Sequence, residues 1–319
     1  LLQLAIQIPS LIQIGMLPRI SLNPAFALRD PKVRRVLKQM GPAVLAVSAT
    51  QISIMINSTW ASFMPDGSAS QLNFADRLME FPSAMLGVAL GTVLLPSLSA
   101  AKANADKTEY SSLLDWGLRL TCLLALPAAI GLLTLSDALT ATLFHNGKFD
   151  AHAVNETAKA VAAYGVGLTG LILVKILAPG FYAQQDIRTP VKIAMIVLLI
   201  TQLMNVLFVP FIQQAGLALS VGLGACVNAA MLYRGLRKRE LYIPSAGWLK
   251  FFMKLGAALL LMGLVGYGLS MQVDWLAMQS NRWIRAALMG GLIVTCMLVY
   301  FSSLFVMGFR LRDFRKVSC

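Results

Sequence analysis

The sequence predicts an all-α, polytopic helical membrane protein, on three observations. Of 319 residues, 57% are hydrophobic and only 13% charged, where an ordinary soluble domain carries about 25% charged residues. Mean hydropathy is +0.70, and the apolar residues come in repeated runs of roughly 20, the length that crosses a bilayer. The basic residues fall between those runs, as cytoplasmic loops do under the positive-inside rule. A soluble chain of this makeup would expose too much apolar surface. The net charge of +13 does not describe a nucleic-acid face, because Lys and Arg are not gathered on one stripe.

Taken in order, Leu1 to about Leu17 reads as the inner end of a span whose beginning lies upstream, so the sequence is expected to be the C-terminal part of a longer protein. Residues 18–38 form a basic connector with Arg19, Arg29, Lys32, Arg34, Arg35 and Lys38, punctuated by Pro24 and Pro31 and suited to a short amphipathic helix at the membrane surface. Met40 to Met64 is the first complete span. It is polar for a lipid-facing helix, with Gln51 and Ser58 seven residues apart on one face and Thr50 and Asn57 on another. Those faces serve either hydrogen bonds between helices or the lining of a water-filled cavity. Pro65-Asp66-Gly67 is a turn.

Spans follow at Ser70 to about Ala100, Leu113–Leu135, Val154–Tyr182, Val191–Phe211, Ala215–Leu232, Trp248–Met271 and Arg285–Phe309. Ser136 to Ala153 is read as a polar loop. Gly216, Gly222 and Gly224 let helices approach closely, and Trp275 and Trp283 fit an aromatic belt around a short loop. This gives eight complete spans and part of a ninth. Most of the 27 Lys and Arg lie in or beside the connectors at 19–38, 102–119, 188–192, 234–254 and 310–316, which places those connectors and the C-terminus in the cytoplasm.

The stretch that departs from this pattern is Asn73–Pro96, NFADRLMEFPSAMLGVALGTVLLP. It is long enough to span a bilayer, yet it carries Asp76, Arg77 and Glu80 near one end, and a charge inside a span costs about 2.5–3.5 kcal/mol on insertion scales. At helical spacing the three share one patch. Pro82, just beyond, removes a backbone donor and is a candidate bending point. Arg77 is either a side chain paired with Glu80 or Asp76 and reaching the outer interface, or an anchor for phosphate, to which a guanidinium donates two hydrogen bonds at once. Lys175 and Arg119 read as snorkelling or edge-anchoring cations. Cys122, Cys226, Cys296 and Cys319 form no CxxC pair and read as small buried hydrophobes. His145 and His152 are isolated, so no metal site is expected, and there is no P-loop, HExxH or GxSxG.

ADRLMEFP (75–82) together with LGVALGTVLLPSLS (86–99), and further LAPGFYAQQDIRTPVKIA (177–194) and the QMGPA and QIS segments of 39–53, resemble the MurJ (MviN) family of lipid II flippases, within the superfamily of multidrug, oligosaccharidyl-lipid and polysaccharide exporters. The resemblance covers essentially the whole sequence. It implies a two-lobe fold of which this chain holds the end of a span and a connector (1–38), the second six-span lobe (39–240) and an added C-terminal helical pair forming a groove for a lipid tail (241–319). It implies a multi-pass protein of the bacterial inner membrane. Such a protein would flip undecaprenyl-pyrophosphate-linked peptidoglycan precursor, lipid II, by alternating access, without catalysis and as a monomer in its full-length form. Its partners would be lipid II and membrane lipids, with no nucleic acid.

By the same resemblance, Arg77, Glu80, Asp76, Ser70, Asn57 and Gln51 line the substrate cavity, and Asn57, Gln202, Asn205 and Asn228 are candidates for a monovalent cation, with no other cofactor. The alternative is a related exporter of other polyprenyl-linked oligosaccharides or of drugs. A membrane enzyme acting on a polyprenyl phosphate would need an acidic or histidine cluster at the membrane face, which the sequence does not show.

Overall fold

The computed structural model describes residues 51–146 and 149–309, together with Ser48. The basic connector, Thr50, the terminal Arg310, Arg312, Arg315 and Lys316, and Cys319 lie outside the described residues. Among the described residues the secondary structure is helical throughout. Helix α1 covers 51–62. Gly67, at φ 93°, turns the chain into α2, Ser68–Ala103. An L side chain would be strained there, so glycine is needed. α3, Lys107–Thr134, opens on Asp106, whose side chain accepts from the Glu109 N–H at 2.8 Å. α4, Ser136–Phe144, follows at once. α5, Ala151–Tyr182, is capped by Asp150, which accepts from the Ala153 N–H at 2.8 Å.

α6, Arg188–Lys238, is a hairpin of two arms. The backbone leaves helical values at Ile212 (φ −128°) and Gln213 (φ 45°), and the second arm returns along the first. A Cβ on Gly216 would stand 2.9 Å from the Phe208 backbone, and one on Gly224 2.3 Å from Thr201 Oγ1. The spans predicted at 191–211 and 215–232 are these two arms. The left-handed Gln213 is followed by Gln214, which is buried and donates from Nε2 to Gln71 Oε1 and Glu156 Oε2, both at 2.9 Å. The bend is thereby tied to α2 and α5. α7, Trp248–Ser270, begins at Gly247 (φ 94°), and α8, Arg282–Val306, follows a single 3-10 turn at Ala277–Ser280.

Among the described residues six helices, α2, α3, α5, α6, α7 and α8, are long and apolar enough to cross a membrane. α5 is the central one, packed against α2, α3, α4 and α6. In a bilayer the lipid tails are as apolar as leucine, so helices associate through close packing. Gly167 of α5 and Gly222 of α6 supply it, their backbones in direct contact. The glycines flagged at 216, 222 and 224 all serve packing.

The segment 136–153, expected to be a loop, contains α4. Leu135, Ala138 and Ala141 recur at three-residue intervals and are buried, so the segment has a short apolar face that its polar end, FHNGKFDAH, obscures. Trp283 is 89% exposed and suits a belt position, whereas Trp275 is buried and donates from Nε1 to the Ser270 carbonyl at 2.9 Å. On the Lys/Arg-rich side, Asp186 in the turn before α6 accepts from Arg239 Nη1 at 2.5 Å and from the Thr189 N–H at 3.1 Å. Burial pushes its carboxyl up, and the Thr189 and Arg239 hydrogen bonds together outweigh this and hold it below the ordinary carboxylate value.

The C-terminal pair α7/α8 packs on α3 and α4 and is tied to them at three heights. Near the basic end, Asp115 of α3 gathers Arg119, Tyr242, Ser245 and Trp248. Burial pushes the Tyr242 phenol up in pKa, and the Asp115 carboxylate beside it acts in the same direction. Midway, Tyr300 Oη donates to the Leu123 carbonyl at 2.6 Å. Pro127 of α3 lacks the N–H that would have bonded that carbonyl, so the tyrosine fills a gap made by the proline. At the far end Arg285, 1% exposed, donates from Nη2 to the His145 carbonyl at 3.2 Å and the Thr142 carbonyl at 3.4 Å, at the C-terminus of α4. A cation is favoured at that end of a helix.

Tyr300→Phe should lower stability by about 1–3 kcal/mol, the penalty for a buried carbonyl left unpartnered, read as an earlier thermal transition in detergent. The double variant Tyr300→Phe/Pro127→Ala, which restores a backbone donor, should recover most of it.

Candidate functional site

The charged stretch folds as one uninterrupted helix, α2, which passes Pro82 and Pro96. Ala75, Met79, Ser83, Gly87 and Leu90 lie on its buried side. Ser70, Asp76, Arg77 and Glu80 are on the exposed side, with Ser70 two turns before Arg77. Arg77 Nη1 lies 3.4 Å from Glu80 Oε2, and the two side chains are 72% and 60% exposed. An exposed pair of this kind is worth about 0.2–1 kcal/mol, too little to offset the insertion cost of both charges against lipid. The face therefore belongs against water or against another part of the protein. Arg77, Glu80, Phe81, Ala84 and Met85 border an open recess of about 420 Å³.

Asp76 lies beside the Arg77–Glu80 pair on the same exposed side, close enough for both charges to act on it, and the hydroxyl of Tyr164, buried in α5, is near its carboxylate.

Lys175 corrects the snorkelling expectation. Its Nζ donates to the carbonyl and the Oγ of Ser83 on α2, both at 3.0 Å. The stem lies in a notch at Gly87, where a Cβ would stand 2.3 Å from Lys175 Cδ. One turn on, a Cβ on Gly91 would stand 3.2 Å from the Lys175 carbonyl. Pro179 has deprived that carbonyl of its helical donor. The spacing Gly87-x-x-x-Gly91 was present in the sequence as a close-approach signal. Nothing in the sequence around Tyr164 pointed to Asp76.

Three of the four cation candidates come together. Asn205, fully buried, donates from Nδ2 to Asn57 Oδ1 and Gln202 Oε1, both at 3.0 Å. Asn228 stands apart on the second arm of α6, one turn beyond Gly224, which itself packs on Thr201. Asn57 Oδ1 and Gln202 Oε1 each face an N–H of Asn205, while Asn205 Oδ1 is buried without a hydrogen-bond partner. The two hydrogen bonds tie α1 to α6, each of the kind worth about 1 kcal/mol. Gln51, on the same helix as Asn57, is exposed.

A groove of about 470 Å³ opens between the lobe and the C-terminal pair, lined by Leu118 and Cys122 of α3, Leu173 of α5, Tyr233 of α6, Tyr242, Pro244, Ser245 and Gly247 of the connector, and Trp248 and Phe252 of α7. A second recess of about 280 Å³ continues from it along Leu118, Leu173, Leu177 and Tyr233.

Among the described residues the fold is all-helical, with helices long and apolar enough to cross a membrane, a charged face on one of them and a docked terminal pair. Solved structures share the fold, two of them as follows. One is a "Lipid II flippase MurJ, inward closed conformation", with TM-score 0.71 and 23% identity, over 89% of this chain and 56% of that one. The other is an outward-facing multidrug resistance MATE family transporter of the MOP superfamily, with TM-score 0.57 and 16% identity, over 90% of this chain and 67% of that one. The family profile described as lipid II flippase MurJ matches residues 1–286, and the chain belongs to that family.

Among curated relatives, the lipid II flippase MurJ of Burkholderia cenocepacia is 56% identical over 316 residues, 99% of this chain and 61% of that protein. The probable lipid II flippases of Haemophilus influenzae and Vibrio cholerae are 37% and 34% identical over 97% and 100% of this chain. The chain thus spans about 60% of the length of these relatives.

Proposed function

We propose that this chain is the second lobe and C-terminal helical pair of a protein that flips lipid II from the inner to the outer leaflet of the bacterial cytoplasmic membrane, in the service of peptidoglycan synthesis. The observation that carries the reading is Arg77: an exposed guanidinium on a membrane-spanning helix of a MurJ-family chain, held only by a long contact to Glu80. A guanidinium so placed donates two parallel hydrogen bonds to a pyrophosphate oxygen pair, and Ser70 on the same face adds a hydroxyl. The substrate is moved without bond making. The polar head crosses against the charged face while the apolar groove at Leu118, Leu173 and Trp248 receives the polyprenyl tail. Alternation between inward- and outward-open states is the natural cycle for such a face, with Pro82 in α2 as the place where backbone restraint is weakest. The full-length protein works as a monomer, and no step is assigned to a bound cation.

The test is complementation by the full-length protein in cells depleted of their own flippase. Arg77→Lys keeps the charge but loses the two-pronged geometry, and it should reduce viable counts at least tenfold, since losing a charge-assisted hydrogen bond is worth about 1.5–3 kcal/mol. Growth equal to the parent would sink the pyrophosphate reading of Arg77. Lipid II translocation measured in spheroplasts of the same strains should fall in parallel.

A further inference from the structure

We infer that Lys175 is the second partner of Glu80: when an anion takes Arg77, the Glu80 carboxylate leaves the guanidinium and is received by the Lys175 ammonium. The inference rests on the reading of Arg77 as an anion anchor. A pyrophosphate that settles on Arg77 is repelled by the Glu80 carboxylate 3.4 Å from the same guanidinium, because two anions would then crowd one cation. The carboxylate needs somewhere to go.

A cation supplied by another helix is at hand in Lys175. Its Nζ rests 3.0 Å from both oxygens of Ser83, which is one turn along α2 from Glu80, and Glu80 is the charge whose field acts on it. An ammonium has three hydrogens. Ser83 takes two of them, and the third remains for a carboxylate. Glu80 is the mobile member, with a 60% exposed side chain whose single tie is the long contact to Arg77. Lys175 is the fixed one, its stem seated in the Gly87 notch. Lys175 is thus a positioning residue: it acts on the substrate through Glu80 and does not touch it.

The experiment is a double-variant cycle in the purified full-length protein, reading the affinity for purified lipid II by native mass spectrometry. Lys175→Met keeps the stem in the notch and should weaken binding about fivefold while Glu80 is present, yet less than about twofold in the Glu80→Gln background. Lys175→Arg should bind like the parent. Gly87→Ala displaces the stem by an independent route and should repeat the loss, again only with Glu80 present, which guards against a folding defect peculiar to Lys175→Met.

Equal loss in both backgrounds would mean that Lys175 contacts the ligand or merely holds the helices, and would overturn the proposal. No loss in either background would overturn it too. Parent-like affinity in Arg77→Met would remove the anchor reading beneath it, a result separable from both.

Discussion

Asp115→Ala should destabilise the protein by about 3–5 kcal/mol, the range for breaking a buried ion pair by removing one partner. Asp115 is 6% exposed, and five donors converge on it. Oδ1 accepts from Tyr242 Oη at 2.7 Å, Trp248 Nε1 at 2.8 Å and the Ser245 N–H at 3.3 Å, and Oδ2 accepts from Arg119 Nε at 2.8 Å and Ser245 Oγ at 2.5 Å. Arg119 also bonds the Ala246 carbonyl at 3.0 Å and lies over the Trp248 ring at 5.0 Å. Alanine would leave the guanidinium without a carboxylate and the phenol and indole without an acceptor. The loosened part would be the connector between α6 and α7, so limited proteolysis should cut between Arg239 and Gly247 in the variant and spare the parent. Thermal transitions of variant and parent within a degree of each other would refute the expectation. Asp115→Asn should fall between the two, since an amide offers one acceptor oxygen and turns donors toward donors.

Gly167→Ala should be about as damaging. The added Cβ would stand 1.9 Å from Gly222 Cα and 2.4 Å from its carbonyl carbon. Those are backbone atoms of the opposing helix, with no side chain to rotate away. α5 and α6 would have to part, and overpacking of this kind costs about 1–3 kcal/mol and occasionally more. A matched control lies at Gly256, where nothing stands within 4 Å of an added Cβ. Gly256→Ala should be neutral or mildly stabilising, because alanine favours a helix over glycine by about 1 kcal/mol. If the two variants unfold alike in detergent, the close approach of α5 and α6 is not what holds the lobe.

These cases show where the sequence could be read and where it could not. The spans were legible because each announces itself locally, in a run of apolar residues bounded by charges. The family was legible in long strings such as ADRLMEFP, and the exposed charged face of α2 was legible in the cost of Asp76, Arg77 and Glu80. The partnerships were not. Asp115 meets Tyr242, Ser245 and Trp248 across more than a hundred residues of chain, and Lys175 meets Ser83 across 92. A side chain bound at such a distance in sequence leaves no local periodicity, so Lys175 read as a snorkelling cation and Arg119 as a lone edge anchor. The amide cluster was legible in part. Asn57, Gln202 and Asn205 stand out in the sequence as polar residues on apolar helices, but the bond between Asn57 and Asn205 joins residues 148 positions apart.

The three ties of the C-terminal pair have a mechanical consequence. A beam pinned at one point can swing, and at two points it can still roll. Pinned at Asp115, again about 12 Å along α3 at Leu123, and a third time at Arg285, about 22 Å along α8 from Tyr300, it can do neither. α7 and α8 are therefore freight carried by α3 and α4, and strain applied to α3 is delivered whole to the far edge of the pair.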